Sequence, residues 1–171
     1  MKPVFILIAA LFVTTSTLAQ QNKASRPSPP ASVKAALPGG KVVSIDYSQP
    51  SVKGRTIGKD LEPINGRVWR TGANEATIFE INKPVKIDGK KLPAGKYGLF
   101  TIAGDQEWKI IFNKTWNQWG AFNYKEADDA LRIKVKPSKA KNFSEKMTFT
   151  ITDKGKVSLL WGDRQVDFYV Q

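Results

Sequence analysis

Residues 69–75 (WRTGANE) concentrate more polar and charged chemistry than any other stretch of the chain. Arg70 could bind a carboxylate or sugar hydroxyls through its planar guanidinium, with Asn74 and Glu75 as polar neighbours. Gly72 and Asn74 tolerate a tight backbone turn, which would bring Arg70 and Glu75 together. The segment is therefore either a ligand-binding loop or a structural corner in which Arg70 and Glu75 pair with each other, as structural ion pairs often do.

Two tryptophans form a second group of candidate binding residues. Trp116 and Trp119 flank the amides Asn117 and Gln118. Indole faces that stack on rings, together with amides that bond hydroxyls, are what a sugar-binding surface uses. The alternative is aromatic packing at the edge of the fold, because tryptophan is buried on average.

Two positively charged regions could bind anions. In the first (residues 48–55, SQPSVKGR), Lys53 and Arg55 follow two serines, so a phosphate or sulfate could bind there. That region lacks the spacing of a phosphate-binding loop, and a solvated connection is the favoured interpretation. The second region could bind anionic lipid or glycan, or it could be the solvated face of an edge strand, which is favoured; its cations are Arg132, Lys134, Lys136, Lys139 and Lys141.

The composition excludes several classes of catalysis. The chain contains no His and no Cys, which excludes imidazole and thiol catalysis, disulfides and zinc–thiolate centres. A glycosidase would need two carboxylates roughly 5–9 Å apart across a cleft, and Asp46 with Glu75 is the first pair to consider. No enzyme signature, metal site or cofactor site is predicted, so a catalytic role stays uncertain and a non-enzymatic role is favoured.

The N-terminus has the organisation of a cleaved signal peptide. Lys2 supplies the positive start, residues 4–13 are almost entirely apolar, and Thr17 to Ala19 fits a cleavage site. The apolar run is shorter than the ~20 residues of a membrane span, and no Cys follows it to carry a lipid. We therefore predict a signal peptide over residues 1–19, a Pro-rich flexible leader over residues 20–30, and a single domain over residues 31–171.

Export narrows the set of expected partners. The net charge of +12 would often indicate nucleic acid, but a periplasmic or secreted protein rarely meets it. A glycan or an anionic envelope component is expected instead, with no nucleic acid and no transmembrane segment after cleavage. The sequence predicts no oligomeric state.

Most of the chain after residue 30 alternates between apolar and polar residues, which is the pattern of half-buried strands. Val43, Ile45 and Tyr47 alternate with polar residues, and a pair of good hairpin turns, Asn65-Gly66 and Asp88-Gly89, could take type I′ geometry. We predict an all-β, antiparallel β-sandwich or jelly-roll-like domain. The other predicted strand faces are Trp108/Ile110/Phe112, Leu131/Ile133/Val135, Met147/Phe149/Ile151, Val157/Leu159/Trp161 and Val166/Phe168/Val170.

Several longer motifs carry a family resemblance over residues 28–171. They are residues 46–55 (DYSQPSVKGR), 68–77 (VWRTGANEAT), 92–102 (LPAGKYGLFTI), 111–114 (IFNK) and 118–120 (QWG). In this order they resemble a secreted bacterial family of unknown function, domain-of-unknown-function family 2911, which is common in Bacteroidetes. The resemblance implies an exported envelope protein and supplies no catalytic residues.

These observations leave three functions open. The first is a non-enzymatic β-sandwich that binds a glycan or an anionic ligand in the cell envelope. The second is a carboxylate-dependent hydrolase that acts on polysaccharide. The third is a structural or assembly protein of the envelope, in which case the motif residues should be buried and mutually satisfied.

Overall fold

The computed structural model describes residues 23–171, so the predicted signal peptide and the first residues of the leader lie outside it. Within this range the fold is all-β: eleven strands and two short 3₁₀ turns, Lys23–Ser25 and Glu126–Asp128. The same range contains no helix with the length and apolar character that a membrane crossing requires. The strands are β1 Pro30–Leu37, β2 Lys41–Ser48, β3 Val68–Trp69, β4 Ile78–Ile81, β5 Val85–Ile87, β6 Lys90–Leu92, β7 Gly95–Ile102, β8 Trp108–Asn113, β9 Asp129–Val135, β10 Ser138–Ile151 and β11 Lys156–Tyr169.

The larger layer is an antiparallel sheet in the order β1-β2-β4-β7-β8-β9. The short strand β3 pairs with the far end of β7, so β3 and β4 lie along the same side of one strand. Between them the chain leaves the sheet at residues 70–77 and returns. This excursion, the corner loop, contains the WRTGANE motif and is the feature of the sheet that matters most for the candidate site.

The second layer consists of the long β10–β11 hairpin and the small β5–β6 hairpin. Backbone hydrogen bonds between Lys86 and Gln171, both 2.8 Å, join β5 to the end of β11. The two layers pack face to face over an apolar core in which Phe112 meets Phe79 and Phe168 edge-on, with ring centroids 5.0 and 5.8 Å apart. Edge-to-face packing of this kind adds to the stabilisation that burial of the rings provides.

The predicted alternation matches the observed strand faces. In β2, Val43, Ile45 and Tyr47 are buried in the core, and Asp46 between them is exposed on the outer face of the sheet. One boundary was predicted wrongly, because the two strands expected after residue 155 form the single strand β11. The strand is irregular at Gly162, which has a φ of +61°. The core-facing side chains of β11 are odd-numbered before this position and even-numbered after it.

The predicted turns are correct in one of two cases. Asp88 and Gly89, with φ of +44° and +81°, connect β5 to β6 as the type I′ prediction requires. At Asn65-Gly66 only the glycine has a positive φ, and its N–H donates to the Ala103 carbonyl at 2.9 Å. Asn65-Gly66 therefore holds a loop against the sheet, and it does not close a hairpin between paired strands.

Candidate functional site

The corner loop is a tightly hydrogen-bonded excursion between β3 and β4. The N–H of Thr77 donates to the Arg70 carbonyl at 3.2 Å, and the Thr77 hydroxyl donates to the Thr71 carbonyl at 2.8 Å. Thr71 and Asn74 have φ of +53° and +56°, a conformation that L residues other than Gly seldom adopt. Gly72 is needed because a Cβ there would lie 3.1 Å from the Ser48 carbonyl oxygen. The loop therefore has one well-defined shape.

The corner loop packs against the segment after β8, which we call the aromatic loop (residues 114–124). Glu75 and Trp119 form an isolated antiparallel bridge. On either side, the Ala76 N–H donates to the Gln118 carbonyl and the Gly120 N–H donates to the Asn74 carbonyl, both at 2.9 Å. These bonds fix Glu75 beside the tryptophans, although the two motifs are far apart in sequence.

The two loops form part of the wall of a cavity of about 400 Å³ on the outer face of the larger sheet. Its floor comes from neighbouring strands: Ser32 on β1 pairs with Asp46 on β2, which pairs with Ile78 on β4. The volume is within the range of ~300–1,000 Å³ that small-molecule sites occupy. Three of the predicted site residues line this cavity: Asp46, Glu75 and Trp116. Lys23 and Arg26 from the N-terminal segment and Asn117 from the aromatic loop line it as well.

Glu75 is held by two cations from the N-terminal segment (residues 23–29). Arg26 Nη1 lies 3.0 Å from both carboxylate oxygens, and Lys23 Nζ lies 3.1 Å from Oε1. Burial alone would raise the pKa of Glu75, but hydrogen bonds from its own backbone, Arg26 and Lys23 outweigh burial and lower the pKa to about 2. Glu75 is therefore ionised near neutral pH and cannot serve as a proton donor.

Asp46 differs from Glu75 in having no such partners. Its side chain is exposed on the cavity floor, and within residues 23–171 it makes no hydrogen bond or ion pair. An ionised carboxylate offers several acceptor positions. Asp46 is therefore a carboxylate whose acceptor positions are all available to a ligand.

Arg70 does not pair with Glu75, which corrects the structural-corner hypothesis. Its guanidinium packs under Gly120, where a Cβ would lie 3.0 Å from Arg70 Nη1, and it does not line the cavity. Burial lowers the pKa of Arg70, an effect that the nearby Glu62 carboxylate opposes. Within the described residues, Arg70 Nε is the one buried side-chain nitrogen or oxygen without a hydrogen-bond partner.

The remaining members of the two motifs are placed around the cavity rim. Asn74 does not line the cavity; its Nδ2 donates to the Ser28 carbonyl at 3.0 Å and so ties the N-terminal segment to the corner loop. Trp119 is 53% exposed, with the Arg26 guanidinium over its ring at 5.9 Å. Trp116 is half-buried in the cavity wall, with Lys96 Nζ 5.5 Å from its ring centroid.

The cations of the two sequence regions proposed for anions lie outside this cavity, although Ser48 of the first region lines it. The backbone N–H of Lys53 donates to Glu145 Oε1 at 2.7 Å, and Arg55 donates to the Ser51 carbonyl at 2.8 Å. The bond to Glu145 connects the first region to β10. The Glu145 carboxylate already accepts from the Lys53 N–H, which an anion bound there would need. In the second region, Lys134 pairs with Glu107 at 3.0 Å and Arg132 pairs with Asp129 and Glu126. Asp129 and Glu126 are close to Arg132 in sequence, whereas Glu107 and Glu145 come from distant positions that the local sequence did not indicate.

A second cavity, of about 370 Å³, lies near the base of β10 and contains both signs of charge. It is lined in part by Asp105, Lys139, Asp163 and Arg164. Within residues 23–171, no group of three or more His, Cys, Asp or Glu side chains is placed to hold a metal ion.

Sequence reasoning missed the contribution of Lys23 and Arg26. Both fall in the segment predicted as a flexible leader, whereas here Lys23, Arg26 and Ser28 contact the corner loop, and the Gln49 N–H donates to the Pro29 carbonyl at 2.8 Å. The sequence carried no signal for this contact, because Arg26 and Glu75 are 49 positions apart.

The described chain is thus an all-β domain of two antiparallel layers, with a cavity of mixed charge and aromatic wall on the outer face of the larger sheet. The profile of a protein family of unknown function, DUF2911, matches residues 28–170, and the chain belongs to that family. The motif resemblance is thereby confirmed. Searches of curated proteins and of solved structures found no match.

Proposed function

We propose that this protein is an exported, non-enzymatic binding protein of the cell envelope, and that its cavity binds a glycan. The observation that carries the proposal is the free carboxylate of Asp46 on a cavity floor that also contains Ser32. A carboxylate that accepts two hydroxyl hydrogen bonds is a strong sugar contact because the acceptor is charged. Trp116 adds an aromatic wall, and Asn117 adds an amide that can donate and accept.

The charges in the cavity favour a neutral glycan over an anion. The two cations, Lys23 and Arg26, are already paired with Glu75. An anionic ligand would have to compete with Glu75 for them, and it would also meet the uncompensated charge of Asp46. A ligand rich in hydroxyls meets neither obstacle.

A glycan screen followed by one matched pair of variants tests this function. Asp46→Asn keeps the shape of the side chain and removes its charge, so affinity for the glycan should fall by about 10- to 100-fold, the cost of losing hydrogen bonds to a charged group. Asp153→Asn is the control, because Asp153 is exposed in the β10–β11 turn, away from the cavity lining, and should leave affinity unchanged. Calorimetric titration measures both. Unchanged affinity in Asp46→Asn, or no glycan bound by the unmodified protein, would refute the proposal.

A hydrolase acting on polysaccharide is the second candidate, because Asp46 and Glu75 line the same cavity. Glu75, with a pKa of about 2, could act only as the ionised member of such a pair. Polysaccharide turnover that is lost in Glu75→Gln would support the hydrolase. If the unmodified protein shows no turnover, the hydrolase is excluded and the binding function remains. If in addition no ligand binds, a structural role in the envelope remains.

The export part of the proposal rests on the sequence of residues 1–19. It places the protein in the periplasm or outside a bacterial, Bacteroidetes-type cell. N-terminal sequencing of protein recovered from the periplasm or the culture medium tests it, with Gln20 as the expected first residue. Recovery from the cytoplasm with Met1 retained would contradict it.

A further inference from the structure

Two pairs of lysines face each other across antiparallel strands in this fold. Lys86 on β5 is the direct partner of Lys91 on β6, and Lys109 on β8 is the direct partner of Lys134 on β9. Like charges directly opposite each other destabilise a sheet. The two pairs differ in how this repulsion is relieved, and the difference points to a function for one of them.

The Lys109–Lys134 pair has a carboxylate beside it, because Glu107 Oε1 lies 3.0 Å from Lys134 Nζ. Among the described residues, Lys86 and Lys91 have no carboxylate within ion-pair distance. The one acidic side chain between them, Asp88, accepts a hydrogen bond from the Tyr169 N–H at 2.9 Å. The Lys86–Lys91 pair therefore has no ion-pair partner comparable to Glu107, and the nearest negative charge in the hairpin is that of Asp88 in the turn.

Further lysines extend the positive charge of this hairpin. Lys83 and Lys90 are also exposed, and backbone carbonyls hold their ammonium groups, at Gly39 (2.9 Å) and Arg132 (3.3 Å). Lys90 is the partner of Ile87, so it lies on the other face of the hairpin from Lys86 and Lys91. We call these four residues, Lys83, Lys86, Lys90 and Lys91, the lysine hairpin. None of them lines either of the two cavities described above, and all four side chains are exposed to solvent.

We propose that the lysine hairpin is a docking surface for an anionic phospholipid bilayer. Lysines attract headgroup phosphates as flexible point charges, without the bidentate geometry that arginine uses to read a single group. An open surface fits a plane of headgroups better than it fits a small anion. Tyr169, 44% exposed and paired through the backbone with Asp88 of this hairpin, is the kind of amphipathic ring found at membrane–water interfaces.

Vesicle co-sedimentation with the full chain tests the proposal. The protein should bind phosphatidylcholine vesicles that contain phosphatidylglycerol, should not bind phosphatidylcholine alone, and should dissociate as salt is added. The double substitution Lys86→Gln/Lys91→Gln should lower the partition coefficient by about 25-fold, or about fivefold for each lysine. Lys109→Gln/Lys134→Gln removes the same formal charge elsewhere and should leave the partition coefficient close to that of the unmodified protein.

Equal losses in the two double variants would overturn the proposal, because binding would then follow net charge alone. Retained binding in the hairpin variant would overturn it as well. So would retention on dextran sulfate without binding to vesicles, which would indicate a soluble polyanion. Melting curves establish that each variant is folded, and Lys86→Gln alone replaces the double variant if it is not. Asp46→Asn should bind vesicles normally, so this test is independent of the glycan proposal.

Discussion

Glu75 is the residue on which the candidate site depends most. It bridges to Trp119 through the backbone and accepts hydrogen bonds from Arg26 through its side chain. One residue therefore joins the corner loop, the aromatic loop and the N-terminal segment. The charge of Glu75 is used to build the cavity wall, whereas the charge of Asp46 remains available to a ligand.

The lowered pKa of Glu75 predicts a specific pH dependence of stability. An unfolded Glu has a pKa of about 4.3, so its ion pairs stabilise the fold fully above that pH and are lost as pH falls toward the folded value of about 2. Because the Glu75 side chain is 38% exposed, solvent screening limits the contribution to about 1 kcal/mol. Glu75→Gln should lower the free energy of urea unfolding by about this amount at pH 7, with the difference from the unmodified protein shrinking below pH 4.

Glu80→Gln is the matched control for Glu75→Gln. Glu80 pairs with only one exposed lysine, Lys96, at 3.2 Å, and exposed pairs of this kind contribute little. A difference between Glu75→Gln and the unmodified protein that stays constant down to pH 2 would show that the effect comes from packing and not from ionisation.

At the scale of elements, strands were easier to predict than the contacts between loops. The period-2 pattern in β2 reflects burial of one face, so consecutive residues are enough to reveal it. Arg26 and Glu75 are 49 positions apart, and no local pattern encodes their contact. Asp46 and Glu75 could be named as candidates because their residue types are visible in the sequence. The partner of Glu75 could not be predicted, because its contact with the N-terminal segment, and not with Arg70, depends on the folded chain.

The opposed charges of Lys86 and Lys91 should destabilise the lysine hairpin, so replacing one of them should stabilise the fold. Lys86→Gln removes one of two like charges in direct opposition, so it should raise the free energy of unfolding by about 0.2–1 kcal/mol at low salt. The gain should shrink as salt screens the repulsion. Urea unfolding at two ionic strengths measures both effects.

Lys134→Gln serves as the comparison for Lys86→Gln. It removes a lysine from the other cross-strand pair but also breaks the ion pair with Glu107, so no net gain is expected. Equal stabilisation by the two substitutions would mean that net charge, and not the local opposition of Lys86 and Lys91, sets the effect.

At the scale of the whole molecule, the cavity and Lys83 of the lysine hairpin are at opposite ends of β2. The cavity is lined by Asp46 and Ser48 near the end of that strand, and Lys83 bonds to Gly39 in the turn before it. With 8 residues at about 3.3 Å each, the strand separates the two regions by roughly 25 Å. A protein docked with Lys83 against a bilayer would therefore hold its cavity at the far end of β2, open to glycans in the surrounding space.

This geometry predicts how Trp119 behaves when the protein is bound to vesicles. Trp69, Trp108 and Trp161 are buried, so quenching of fluorescence by the water-soluble quencher acrylamide reports mainly on Trp119, which is 53% exposed near the cavity, and to a smaller extent on half-buried Trp116 in the cavity wall. Binding to anionic vesicles should leave the quenching constant unchanged, and Trp119→Phe, which removes the exposed indole, should lower it with or without vesicles. Protection of Trp119 by vesicles would instead place the cavity end against the membrane, an orientation in which the lysine hairpin could not be the docking surface.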